Sequence, residues 1–81
     1  MITAMYKIKS NIEALKKAIE EAGGMQELAK KIGVSYQTIL NWKSERSSIS
    51  PVNCVRIEEA THGKVSRKEI LPGYSWEEMK V

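Results

Sequence analysis

Residues 32–42 read IGVSYQTILNW, and the way this stretch divides decides the fold. Gly33 follows a short apolar run, and a glycine takes up the left-handed backbone that ends a helix at little cost. Ser35 comes two residues later, and a serine hydroxyl accepts from the free N–H groups that open a helix. One helix therefore stops at Gly33 and another begins after Ser35. On that second helix, from Tyr36 to about Ser44, the helical period puts Ile39 and Trp42 on one side. Tyr36, Gln37, Leu40, Asn41 and Ser44 share the other, which carries no charge. A face that merely meets water resembles EALKKAIEE at 13–21, crowded with Glu and Lys. A neutral face of phenol, amide, leucine and hydroxyl groups calls for another explanation.

Working outward, Met25, Leu28, Ala29 and Ile32 stripe a short helix ahead of Gly33. Ser10 and Glu13 have the spacing of a capping box, and Ile12, Leu15, Ile19 and Ala22 recur at helical intervals until Gly23-Gly24. That predicts a first helix over about 11–22. Downstream, SERSSIS (44–50) is a polar loop, and Ser50-Pro51 sets a cap before the proline favoured at the first helical position. A fourth helix over about 51–61 ends at His62-Gly63. Ser66 and Glu69 repeat the capping-box spacing before Ile70, Leu71 and the terminating Pro72-Gly73. The nearest approach to an alternating strand, TAMYKIK at 3–9, falls short of a convincing one. The expected fold is all-α, a compact bundle of four to five short helices. Residues 1–10 form an N-terminal extension, 11–72 the domain and 73–81 an irregular tail.

With 81 residues the chain makes one domain with a small core, since domains of this size bury only about 60% of their unfolded surface. No apolar run reaches the roughly 20 residues of a membrane helix, and MITAMYKIKS lacks the apolar stretch of a signal peptide, so a cytoplasmic protein without a membrane partner is expected. The single cysteine, Cys54, has no partner for an internal disulfide and lies on one stripe with Ile57 and Thr61, the pattern of a small buried hydrophobe. The chain contains no Asp and one His, so catalytic chemistry has few candidates. The pairs Glu20-Glu21, Glu58-Glu59 and Glu77-Glu78 are chain neighbours, which do not face each other on a helix. His62 has no cluster of further His or Cys to complete a metal site, and Gly23-Gly24 lacks the strand and spacing of a nucleotide loop. No enzyme activity, metal or cofactor is expected. The net charge is +3, and residues 24–56 alone carry five basic and two acidic side chains, so the excess surrounds the opening motif.

Two helices joined as tightly as those around Gly33 cross at roughly 90 to 120°. Such a crossing needs a small contact residue, and Ala29 is placed to pack against Ile39 and Trp42 while Val34 plugs the turn. The pattern Ala29-x3-Gly33-Val34-x4-Ile39-x2-Trp42 resembles the helix-turn-helix of Cro-like phage repressors. More of the chain joins in: the opening Gly23-Gly24, the Trp42-Lys43 pair, Ile49-Ser50-Pro51, and Val65-Ser66-Arg67 before Leu71-Pro72. Over about residues 12–76 it is similar to the compact Cro-type regulators grouped with YdaS-like antitoxins.

The resemblance implies that the third helix enters the DNA major groove, which would make its neutral side a reading face. Gln37 and Asn41 then suit bidentate contacts to adenine, Leu40 and the Tyr36 ring can pack on a thymine methyl, and Ser35 reaches a base edge. Gln26, Thr38, Lys43, Ser44, Arg46 and Ser47 are the phosphate candidates, Gln26 beside the first amides of its own helix. The implied function is a sequence-specific regulator that binds a pseudo-palindromic double-stranded DNA operator as a homodimer. A different class remains in view: an antitoxin-type module whose helical surface neutralises a toxin partner. The plainest alternative for Lys43 and Arg46 is ordinary solvated charge. Tyr74 and Trp76 can cover their own core or a second copy, and Val52 and Val55 form another candidate contact patch.

Overall fold

Four of the five helices begin where a short polar side chain closes the first turn. The computed structural model describes residues 10–76 and contains α1 (Ile12–Ala22), α2 (Met25–Ile32), α3 (Tyr36–Lys43), α4 (Pro51–Ala60) and α5 (Arg67–Ile70). Ser35 accepts from the Thr38 N–H, Ser50 from Asn53 and Ser66 from Glu69. No strand occurs among the described residues; the segment 3–9 lies outside them.

The expected Ser10–Glu13 capping box is not what starts α1. Asn11 is the cap, its Oδ1 accepting from the Glu13 N–H at 3.0 Å and the Ala14 N–H at 3.3 Å. Asparagine ranks with serine as a cap, and moving the cap one residue on leaves Glu13 a residue too early to return the reciprocal bond. The Ser10 hydroxyl is thereby free to accept from the Ile49 N–H at 3.0 Å. The Asn11 N–H meanwhile donates to the Ile70 carbonyl at 2.7 Å, so the start of α1 ties down both the α3–α4 loop and α5.

Around the core, α1 packs on α2, α3 and α5, while α2 also meets α3 and α4, and α4 meets α5. Leu15, Leu28, Ile39, Cys54, Ile57, Val65 and Ile70 are fully enclosed, and Ala14, Ala18, Ala22 and Ala29 are buried where small side chains allow close approach. Ile49 is enclosed too, although it sits in the loop read as polar from its sequence. Among the described residues Thr61 is the buried polar one: its hydroxyl donates to the Ile57 carbonyl at 3.0 Å and accepts from the Val65 N–H at 3.2 Å, fixing the return after α4. Burial pushes the Cys54 thiol up to about 12, so at neutral pH it is an inert hydrophobe.

Tyr74 and Trp76 cover their own core. Their rings meet edge-on at 4.7 Å, and Trp76 Nε1 donates to the Leu71 carbonyl at 3.0 Å. The Arg67 guanidinium lies 5.9 Å from the Trp76 ring centre and donates to Glu58 Oε1 at 2.8 Å, an oxygen that also accepts from the Arg67 backbone N–H. Burial raises the Glu58 carboxyl, but these two hydrogen bonds and the charges of Arg67 and Lys68 outweigh it and hold the group below its ordinary value.

The turn between α2 and α3 rests on Gly33, whose φ is +78°. Its N–H and that of Val34 both donate to the Ala29 carbonyl, at 2.9 and 3.0 Å. A Cβ added at Gly33 would meet open space, so backbone conformation alone sets the cost of a side chain there. Gly33→Ala should lower stability by about 1 to 2 kcal/mol, and Gly33→Asn by less, in chemical denaturation. A loss for Gly33→Asn as large as that for Gly33→Ala would contradict a cost set by backbone conformation.

The Glu58–Arg67 pair gives a pH dependence of defined sign. A carboxyl whose folded pKa is depressed stabilises fully above its unfolded value, and that contribution is lost as pH falls through the folded pKa. Glu58→Gln should therefore lower the urea midpoint near neutrality, and the gap from the unmodified protein should close through the acid carboxylate range. A gap independent of pH would contradict the pairing.

Candidate nucleic-acid interface

The cap of α3 fixes where its outer side begins. Ser35 Oγ accepts from the Thr38 N–H at 3.1 Å and lies 2.9 Å from Thr38 Oγ1, so the two hydroxyls form a local pair at the helix start. Ile39 and Trp42 are buried beneath, as their spacing predicts. On the outer side Tyr36, Gln37 and Ser44 are exposed, and Thr38, Leu40 and Asn41 are half-buried. Gln37 and Asn41 are joined: Gln37 Nε2 donates to Asn41 Oδ1 at 3.1 Å, a bridge of one helical turn. The helix thus presents an amide pair flanked by a tyrosine ring and a leucine.

A tight return closes α3. Glu45 stands in the left-handed region at φ +64°, and its N–H donates to the Trp42 carbonyl at 3.1 Å. The Asn41 carbonyl accepts from the Arg46 N–H at 2.8 Å, the Ser47 N–H at 3.4 Å and the Ser44 hydroxyl at 3.4 Å. This return gathers Ser44, Arg46 and Ser47 at the end of α3 beside Lys43, all exposed. Sequence reasoning missed it, because a glycine or asparagine usually marks a left-handed helix end and a glutamate does not.

Gln26 lies toward the other end of the helix. An open cleft of about 460 Å³ is lined by Gly23, Gly24, Met25, Gln26, Glu27 and Tyr36, so the structure brings Gln26 and Tyr36 together. Gly24 offers no side chain to cap α2, leaving its first-turn N–H groups without a side-chain partner there. Glu27, an acid, shares the same cleft.

Among the described residues the ion pairs are Glu13–Lys16, Glu21–Lys64 and Glu58–Arg67, and neither Lys43 nor Arg46 belongs to one. Arg56 behaves differently. Its guanidinium donates to the Ile32 carbonyl at 3.4 Å, strapping α4 to the carboxyl end of α2, where a cation also complements the helix dipole. No group of three or more His, Cys, Asp or Glu side chains among the described residues is arranged to hold a metal ion. None of the described helices is long and apolar enough to cross a membrane.

An all-helical domain with a glycine turn between α2 and α3, and with one side of α3 facing outward, is a small helix-turn-helix domain of the Cro-like kind. The chain belongs to the family described as "Bacterial toxin YdaS", whose model matches residues 15–79. It is 31% identical to the Regulatory protein cro of Pseudomonas phage D3 over 62 residues, which cover 76% of this chain and 85% of the relative. It is 29% identical to the Putative transcriptional regulator YdaS of Escherichia coli (strain K12) over 69 residues, covering 85% and 70% of the two chains. No solved structure gives a match.

Proposed function

We propose that this protein is a sequence-specific DNA-binding transcriptional regulator that inserts α3 into the major groove of an operator. The observation that carries the reading is the composition of α3's outer side: exposed or half-buried Tyr36, Gln37, Leu40 and Asn41, uncharged, with the exposed cations Lys43 and Arg46 at one end. Base edges in the major groove carry hydrogen-bond donors, acceptors and methyl groups but no net charge, so an uncharged polar face suits them. Phosphates flank the groove and take cations, the place assigned to Lys43 and Arg46. Ser44, Ser47, Thr38 and Gln26 supply further phosphate contacts, and Ser35 a base-edge contact. The two relatives, one named a cro protein and one a transcriptional regulator, support the same reading.

Regulation follows from occupancy: a bound copy on an operator excludes polymerase or another regulator. One reading helix covers few base pairs, so two copies on a pseudo-palindrome supply the discrimination, with half-sites centred about 34 Å apart. The family description names a toxin and so leaves a second reading open, in which the chain works within a toxin–antitoxin pair. On that reading the outer side of α3 meets a protein of a toxin–antitoxin pair, in the manner of an antitoxin, and DNA binding is secondary.

Selection of bound sequences from random DNA, followed by substitution, separates the two. Gln37→Ala and Asn41→Ala should each cost about 1 to 3 kcal/mol on the selected site and relax base preference there, with non-specific affinity nearly unchanged. Lys43→Ala and Arg46→Ala should weaken all duplexes alike and reduce the salt slope by about 1 for each phosphate no longer engaged, because a cation seated on a phosphate releases condensed counterions. Circular dichroism establishes that each variant is folded. If folded Gln37 and Asn41 variants keep affinity and preference, α3 is not the reader and the protein-partner reading takes its place.

A further inference from the structure

Gln37 and Asn41 stand one turn apart, and their 3.1 Å bridge uses one amide proton of Gln37 and one carbonyl lone pair of Asn41. Asn41 is half-buried, and the return after α3 also holds it by its backbone, through the Arg46 N–H at 2.8 Å, the Ser47 N–H at 3.4 Å and the Ser44 hydroxyl at 3.4 Å. Gln37 is exposed and reaches onto this fixed post. The carbonyl oxygen with both lone pairs free then belongs to Gln37, and the amino group with both protons free belongs to Asn41.

A lone amide on a helix surface can turn over and offer either its oxygen or its amino group to whatever lies opposite. Here the two are coupled. Turning one without the other sets oxygen against oxygen or amino group against amino group, and the bridge is lost. The polarity offered under Gln37 therefore dictates the polarity offered under Asn41.

We infer that Gln37 and Asn41 read DNA as a single unit, which calls for opposite polarities on the base edges under the two residues; with the bridge as it stands, these are a hydrogen-bond donor under Gln37 and an acceptor under Asn41. The inference rests on the proposal that α3 is the reading helix. Major-groove donors are adenine N6 and cytosine N4, and the acceptors are purine N7, guanine O6 and thymine O4. An adenine offers both in the required order, N6 to Gln37 and N7 to Asn41. Gln37 is thus a positioning residue for Asn41 as well as a contact in its own right.

The test is a base-preference profile for Gln37→Ala, Asn41→Ala, their double variant and Gln37→Glu, each shown to be folded by circular dichroism. The position read by Asn41 is the one whose preference Asn41→Ala abolishes. Gln37→Ala should relax that same position. The double variant should lose affinity by a factor at least about threefold smaller than the product of the single losses, the mark of coupled neighbours. Gln37→Glu is the sharper arm. A carboxylate only accepts, so Asn41 must donate into it and turn its own oxygen toward the DNA. Preference at the Asn41 position should then move from a base read through an acceptor to cytosine, which presents a donor and no acceptor in the major groove, although Asn41 is unchanged. Separate positions relaxed by the two single variants, multiplicative losses and an unmoved Asn41 preference in Gln37→Glu would overturn the inference and leave the reading face standing. Wild-type affinity and preference in all four variants would instead remove the reading face itself, and the inference with it.

Discussion

The turn at Gly33 is the constraint on which the rest of the structure depends. Because Gly33 takes φ +78°, its N–H and the Val34 N–H can both donate to the Ala29 carbonyl, and the chain leaves α2 in a new direction after one turn residue and a cap. Ala29 is small and buried, which lets α3 approach α2 closely enough for Ile39 and Trp42 to join the same core. Once those two side chains face inward, the helical period leaves Tyr36, Gln37, Leu40 and Asn41 no choice but to face outward. The position of the candidate reading face is thus a consequence of one glycine and one alanine on a neighbouring element. The remaining helices hold this arrangement from outside: Arg56 ties α4 to the end of α2, and the start of α1 ties down the loop that follows α3.

Charge is partitioned in the same way. Acidic and basic side chains alternate on α1, where Lys16 pairs with Glu13, and Glu21 reaches Lys64. Such exposed pairs add little stability, and they suit a surface that needs only to stay hydrated. The outer side of α3 has none of this. Its polar groups are committed instead to one another, Ser35 with Thr38 and Gln37 with Asn41. Groups preorganised in this way lose less conformational entropy on meeting a ligand than free side chains do, an advantage for the proposed reading face.

Most of the architecture was legible in the sequence because its signals are local. Gly33, Ser35, Ser50-Pro51 and Ser66 each act within a few residues, and each helix they delimit is present. The failures have physical reasons. Asn11 and Ser10 are both good caps side by side, and the helix uses Asn11 while Ser10 is engaged by the distant Ile49 N–H, a partner that no short window contains. Ile49 is a single apolar residue in a polar run, so periodicity had nothing to register. The Glu45 return went unseen because its side chain is untypical of that conformation. The partner of the Arg56 guanidinium, the Ile32 carbonyl, lies elsewhere in the fold, beyond the reach of any short window. Among the candidate site residues, the helical period placed Gln37 and Asn41 on one side; that they bond to each other is a matter of rotamers, which spacing alone does not determine.

The central claim is that the uncharged side of α3 is a DNA-reading face. Backbone amide chemical shifts, followed by NMR as a duplex taken from the selected pool is added, test it most directly. The account predicts that the largest changes fall on residues 35–47, extend to Gln26 across the cleft it shares with Tyr36, and leave the outer side of α1 and the Val52 patch of α4 unmoved. Perturbations centred on Val52 and α1 with α3 silent would contradict it.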